Sequence, residues 1–434
     1  MSNNMVGTMV TDKPVVGFFP LFYNLAETGR AILVAKRYIE LGGKAVFFSH
    51  GGKYEYLAKD LGYGIVRVNP IYTEESITKI IKINRGEQKG IAYDESFLRE
   101  AVKEEISAYK KTGVEMVVSF VNIPCSISAR AVRIPLVCVS PAPGNFHLMV
   151  PDNFENSFTR LIPQSLKVPV LNLCFKKSKK FLKPFNAVAR EHHLKPFKST
   201  MDVVYGDVTL GTNFLEFINV FPNQQLFPDE NYVGIISLEE VFSDRFSEEK
   251  AKTIEHDIAQ HLNKSEKSIL LTMGSSGDKK FFLSILNALN KTNCRVIAIY
   301  ASILNENELS NVNENILLMK FVPSIQKLHK MVDLTIMHGG QGTVYAAAYA
   351  GKPVIGFPMQ FEQHLNLEKM VGHGVGIMLS RKYSKEKHHL NAIKEIFDNY
   401  DIYLKNAQTL AKKLPQSKGD KKAARRIAEI LQKN

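Results

Sequence analysis

Two long stretches of the chain share one alternation: short apolar runs, each followed by a longer segment whose apolar positions recur every three or four residues. Continuous apolar runs mark strands buried on both faces, and the 3.6-residue period marks helices laid against them. Val15–Pro20 (VVGFFP) and Ala45–Ser49 (AVFFS) read as strands. Glu27–Glu40, with Ala31, Val34, Ala35 and Tyr38 on one face, reads as the helix between them. Glu115–Phe120, Pro135–Ser140 and Val208–Thr212 continue this series. A second series starts at Ser268–Met273 and runs through Arg295–Tyr300, Asn315–Lys320, Asp333–Met337 and Pro353–Phe357. Strands alternating with helices make parallel sheets. The pattern therefore predicts an α/β protein of two Rossmann-like domains facing a cleft.

Breaks in the alternation set the boundaries. Residues 1–13 are a polar start, and residues 150–200 mix Pro, Phe and Lys in a way that reads as an insertion rather than sheet. Phe221–Glu240, with Pro222 and Pro228, reads as the run-up to a linker. The domains expected are residues 1–235, carrying the insertion, and residues 236–434. Lys418–Lys433, with Gly419 at its start, reads as a basic helix that can pack back on the first domain. No fixed-period repeat of the solenoid kind is present.

Composition narrows the partners. The 434 residues are 45% hydrophobic and 23% charged, which fits globular cores and excludes global disorder. A net charge of +13 favours an anionic partner. No zinc-finger spacing or RNA-binding aromatic strand accompanies it, so nucleic acid is not expected. Cys125, Cys138, Cys174 and Cys294 form no Cys-x-x-Cys pair and read as reduced thiols. No signal peptide opens the chain, and no apolar run approaches the roughly 18 residues that span a bilayer. These features predict a cytoplasmic protein, with peripheral membrane contact left open.

The segment Asp333–Asn366 (DLTIMHGGQGTVYAAAYAGKPVIGFPMQFEQHLN) carries the most chemistry. A buried strand ends at His338, a glycine turn follows (Gly339, Gly340, Gly342), and an Ala-rich helix starts near Thr343. Glycines let a backbone approach a ligand, and the unpaired N–H groups of a helix start attract phosphate. His338 and Thr343 add hydrogen-bond donors. A glycine turn alone is also a common structural joint, but here His338-Gly-Gly-Gln-Gly342-Thr343 is followed by Gly351-Lys-Pro353, Pro358, Glu362-Gln363 and Asn366. In order and spacing this resembles the donor signature of the inverting nucleotide-sugar glycosyltransferases of the two-Rossmann (GT-B) fold. That superfamily includes plant and mammalian glucosyl- and glucuronosyltransferases and bacterial antibiotic and lipid glycosyltransferases. Phe321-Val322-Pro323 resembles its base-packing segment, and Gly274-Ser275 its turn after the first donor-domain strand. Ile134-Pro135 and Phe185–His193 extend a looser likeness into the first half.

The resemblance implies that residues 1–235 bind an acceptor and residues 236–434 a UDP- or dTDP-sugar. It implies that His338, Gly340, Gly342 and Thr343 hold the diphosphate, with Gly274 and Ser275 approaching from the opposite side. Phe321 would stack on the base while the Val322 backbone bonds it. Glu362 and Gln363 would bond sugar hydroxyls. No cofactor or metal is implied, and no metal-ligand spacing is seen. Phe321 stands where plant-type members carry Trp, and Ala346 where they carry a ribose-binding Glu.

The third departure concerns the general base, which must take the acceptor's proton. The family places a His after the first strand, whereas this chain reads Tyr23-Asn24-Leu25-Ala26-Glu27-Thr28-Gly29-Arg30. Glu27 or Thr28 falls at that position, and some relatives use a carboxylate, so Glu27 is the candidate base. Acidic residues also decorate helix starts without any catalytic task. Arg30 reads as a surface charge ahead of a contact for an acidic acceptor, His50-Gly51-Gly52 as a strand-to-helix turn, and His192-His193 as solvated helix residues. Near Ser119–Asn122 nothing matches the Asp that orients the family's His. Lys176–Lys183 (KKSKKFLK), among Leu171, Leu173, Phe175, Phe181, Leu182 and Phe185, fits either a solvated lysine face or an anionic membrane surface beside a lipid-like acceptor. The sum is an inverting sugar transfer to a small or lipid-like hydroxyl acceptor. A nucleotide-sugar 2-epimerase and a donor-binding activator subunit are the alternatives.

Overall fold

A computed structural model describes residues 14–85, 87–141, 145–149, 161–242, 247–265, 267–274, 277–300, 303–304, 312–380 and 385–433. Two six-stranded parallel sheets form the frame. The first contains β1 (Val15–Pro20), β2 (Lys44–Ser49), β3 (Ile65–Arg67), β4 (Met116–Phe120), β5 (Leu136–Ser140) and β6 (Val208–Gly211). The second contains β7 (Ser268–Thr272), β8 (Arg295–Ile299), β9 (Ile316–Met319), β10 (Leu334–Met337), β11 (Val354–Gly356) and β12 (Gly376–Met378). Strand order is β3-β2-β1-β4-β5-β6 in one and β9-β8-β7-β10-β11-β12 in the other, the same doubly wound plan twice. The apolar runs are buried because helices cover both faces of each sheet. Val16, Phe18, Met116, Val118 and Val139 lie in one core, and Ile269, Leu271, Val296, Ala298 and Ile336 in another.

β3 and β12 escaped the sequence pattern. Each is a three-residue edge strand, too short to show a period. The stretch read as an insertion is mostly helical over its described residues, with Gln164–Lys176, Lys179–Glu191 and the start of Thr200–Val204. The last helix, Gly419–Lys433, returns to the first half. Its Ala423, Ala424, Ile427 and Ile430 join the core containing Ala31, Ile32 and Ala35 of the Leu25–Glu40 helix. Asp420 accepts a hydrogen bond from Arg37 Nε at 2.6 Å on that same helix. Among the described residues, no helix is long and apolar enough to cross a membrane.

Candidate active site

Each sheet reverses its strand order once, between β1 and β4 and between β7 and β10. Parallel sheets bind ligands outside the carboxyl ends of the strands at such a point, where neighbouring loops turn to opposite faces and leave a crevice. The donor turn expected from sequence falls on the second reversal. His338 leaves the end of β10 and Gly274 follows β7. A Cβ on Gly274 would lie 2.5 Å from His338 Cε1, and one on Gly340 would lie 2.5 Å from His338 Nε2. The two glycines thus make room for the imidazole. Burial pushes the ring's pKa down to about 4, with the Thr272 carbonyl acting in the opposite sense and the Arg85 charge in the same one. His338 is therefore neutral at physiological pH and offers a hydrogen bond rather than a charge.

Gly340 caps the Gln341–Ala350 helix and has no side chain to bond its first N–H groups, while the Glu362 carboxylate accepts from the Gln341 N–H. Those first N–H groups lack helical partners, and the helix dipole adds positive potential there. Gly342 is exposed, with open space where a Cβ would stand, and Thr343 is half-buried beside it. Phe321 is 51% exposed, while Val322 is partly buried against the core that contains Leu328 and Val332. Ala346 is buried on the helix and presents nothing to a ribose. Ser275 lies outside the described residues.

The first reversal carries the other half of the cleft. Asn24 caps the Leu25–Glu40 helix, its side chain accepting from Ala26 N at 3.0 Å and Glu27 N at 3.4 Å. This fixes Glu27 in the first helical turn. Arg30 Nη1 donates to Glu27 Oε1 at 2.8 Å, and both side chains are buried. Glu27 Oε2 has no hydrogen-bond partner. Glu362, at the start of the Phe361–Gly372 helix after β11, feels both charges across the cleft. Burial pushes its pKa up, Arg30 and an Asn366 hydrogen bond pull it down, and Glu27 adds to the rise. Asn366 Nδ2 donates to Glu362 Oε1 at 2.6 Å and to the Gly339 carbonyl at 3.1 Å, tying this helix to the glycine turn.

Several sequence assignments change. Thr28 is fully buried and its hydroxyl donates to the Asn24 carbonyl at 2.9 Å, so it leaves the reacting set. Arg30 is no surface charge but the buried partner of Glu27. Gln363 uses its carbonyl oxygen to accept from Met359 N at 2.8 Å and Gln360 N at 3.1 Å, capping its own helix instead of offering that oxygen to a sugar. His50 is more than a turn residue. Its Nε2 lies 3.0 Å from Glu105 Oε1, and Glu105 also accepts from Asn122 Nδ2 at 3.0 Å and from Ser128 Oγ. The network is buried and serves the first-half core. His192 and His193 lie at a helix end, with His193 exposed.

Contacts between the halves were invisible in the sequence. Gln341, a spacer within the motif, donates from Nε2 to the Thr212 carbonyl at 2.9 Å and Asn213 Oδ1 at 3.0 Å. Tyr345 OH accepts from Phe214 N at 3.1 Å and donates to Asn213 Oδ1 at 3.2 Å. Glu368 accepts from the backbone N–H groups of His147 at 3.0 Å, Leu148 at 2.8 Å and Met149 at 2.9 Å. Helical i, i+7 spacing puts Lys369 on the face of Glu362, whereas Glu368, at i+6, had no such link. Lys369 is buried, and burial pushes its pKa down to about 8.

Two doubly wound sheets, with a helix start at one reversal and the buried Glu27–Arg30 pair at the other, make the two-domain GT-B architecture. A model for the erythromycin biosynthesis protein CIII-like C-terminal domain matches residues 284–429. A PGL/p-HBAD biosynthesis glycosyltransferase of Mycobacterium tuberculosis is 25% identical over 370 residues, covering 84% of this chain and 77% of that protein. The spinosyn forosaminyltransferase SpnP superposes with a TM-score of 0.62 at 14% identity, over 97% of this chain and 100% of its own. The glycosyltransferase VinC, solved with dTDP, superposes with a TM-score of 0.59 at 15% identity, over 97% and 100%. The chain is a glycosyltransferase of the GT-B fold, and its likenesses point to the UDP-glycosyltransferase-like superfamily.

Proposed function

We propose that the protein moves a sugar from a nucleoside diphosphate, UDP or dTDP, to an acceptor hydroxyl in a single displacement that inverts the anomeric centre. The observation that supports this reading is the facing, across the cleft, of the glycine turn and helix start at His338–Thr343, whose Gln341 N–H is held by Glu362, and Glu27, whose Oε2 is unpartnered. The dTDP in the VinC structure supports the donor class.

In this mechanism the helix N–H groups, Thr343 and His338 bind the diphosphate. They stabilise the charge that grows on it as the glycosidic bond breaks, and this needs no metal. Phe321 stacks on the base and the Val322 backbone bonds its edge. Glu362 bonds sugar hydroxyls, while Gln363 shapes the sugar pocket by holding Met359 and Gln360. Glu27 takes the acceptor proton, and Arg30 positions it. Glu27 and Arg30 are buried and Glu362 is half-buried, so an acceptor reaches Glu27 when the halves move apart. The acceptor is a small or lipid-like alcohol or phenol.

Nucleotide-dependent thermal stabilisation and turnover test the proposal on three forms of the protein. Wild type is stabilised by one nucleoside diphosphate, and His338→Ala loses that stabilisation. Glu27→Gln keeps it but loses roughly 10²–10⁴ in kcat, the usual worth of a general base. NMR of the product shows the inverted anomer, and a chelator leaves the rate unchanged. A wild type that no nucleotide stabilises refutes the donor site, and full turnover by Glu27→Gln refutes the base.

A further inference from the structure

The Gln164–Lys176 helix is apolar on two sides. Its inner side places Val168 and Leu171 against Phe146, Phe361 and Leu365. Leu166, Val170 and Leu173 form an outer stripe at i, i+4 and i+7, exposed by 63%, 60% and 55%, and Leu161 just before the helix is 84% exposed. Leu182 and Phe185, grouped with the lysines in the sequence reading, are buried in the first half, so the outward apolar surface belongs to the earlier helix.

Charge accompanies this stripe. Residues 161–190 contain six lysines and one arginine and no Asp or Glu. Lys176, Lys177, Lys179, Lys180 and Lys183 are exposed around the turn where the stripe ends. A lysine ammonium is a compact charge on a flexible stem and needs no planar, bidentate partner, unlike the arginines that pair with specific carboxylates. Aliphatic side chains flanked by mobile lysines match a surface that is apolar inside, diffusely anionic outside and without fixed geometry.

We infer that this face docks on an anionic lipid bilayer, with Leu161, Leu166, Val170 and Leu173 entering the headgroup boundary and the lysines resting on the headgroups. The inference is independent of which nucleotide fills the donor site. It adds a place of action, because the same helix lies on Phe361 and Leu365, on the helix that carries Glu362 into the cleft. An acceptor held in the membrane then meets the enzyme close to its reacting groups. Cys174 lies on the exposed side and the other three cysteines are buried, so the stripe carries its own labelling site.

The test is co-sedimentation of the full chain with phosphatidylglycerol–phosphatidylcholine vesicles and with phosphatidylcholine alone. Binding is expected to favour the anionic vesicles by about tenfold or more and to weaken as salt is raised. A polarity-sensitive dye on Cys174 is expected to report an apolar environment on the anionic vesicles. The triple variant Leu166→Ser, Val170→Ser, Leu173→Ser and the charge variant Lys176→Glu, Lys177→Glu, Lys179→Glu, Lys180→Glu should each lose the binding. Both alter exposed side chains and should keep the wild-type unfolding midpoint and nucleotide response, which separates failure here from failure of the donor reading. Equal binding to neutral vesicles, or retention of binding by both variants, overturns the inference. So does light scattering that shows the stripe buried between two copies of the chain with no vesicle binding.

Discussion

His338 shows how one buried residue sets the chemistry available to the proposed diphosphate site. A charged imidazole would bind a diphosphate more strongly but would make binding depend on pH near neutrality. With its pKa held near 4 by burial, the ring stays neutral through the physiological range. The KM for the nucleotide sugar is therefore expected to be flat between about pH 6 and 8, where an ordinary histidine would titrate. Initial-rate measurements across that range check this, and a KM that rises with a midpoint near the usual histidine value would refute it. Gly340 belongs to the same unit. Gly340→Ala drives a methyl into the imidazole, so nucleotide affinity should fall about as far as in His338→Ala, as titration calorimetry would show. The His338 motif was legible because order and spacing carry it. The pairing of Arg30 with Glu27 was not, because an arginine one turn along a helix from a glutamate is equally common on a solvated face.

The Phe361–Gly372 helix does three jobs along its length. Its first turn presents Glu362 to the cleft, Gln363 caps it, and Glu368 clamps residues 147–149 of the other half. Burial alone would raise the Glu368 pKa, but His364 and the His147 and Met149 N–H groups outweigh it and hold the carboxyl below its ordinary value. A carboxylate with a depressed folded pKa stabilises the fold above its unfolded pKa, and that stabilisation is lost as pH falls through the folded pKa. Glu368→Gln should therefore cost about 2 kcal/mol at neutral pH, the scale of a charge-assisted hydrogen-bond set. The difference from wild type should shrink in acid below the ordinary carboxylate range. Denaturant titrations at several pH values test this, and a pH-independent difference would refute it. The cap could have been anticipated, since Gln360 and Gln363 stand at capping-box spacing. The clamp could not, because its acceptors are bonded to backbone on the far side of the cleft.

At the scale of the whole molecule, the chain order of the halves is not their packing order. The last helix, Gly419–Lys433, lies on the first half, so the C-terminal residues complete the core of the N-terminal sheet. A chain ending at Lys418 uncovers Ala31, Ile32 and Ala35 and loses Ala423, Ala424, Ile427 and Ile430 from that core. It should unfold in its first half at lower temperature, while nucleotide stabilisation of the second half persists, because the second core contains none of these residues. Calorimetry with and without nucleotide distinguishes this from uniform destabilisation. The same crossing makes relative movement of the halves a bend about a double connection, through the linker and through this helix.

The sequence by itself determined the two parallel α/β units, since buried strands between covering helices leave a periodicity that needs no knowledge of neighbours. It also determined the glycine turn after β10, whose glycines, histidine and helix start lie within a few residues of one another. Tertiary structure decided the rest. It buried Thr28 against its own helix, turned Gln363 into a cap and gave Arg30 a partner. It brought Glu27 from one sheet edge to Glu362 from the other, and left one face of the Gln164–Lys176 helix bare. Each of these depends on what a side chain meets from a distant part of the chain, and local spacing holds no record of that.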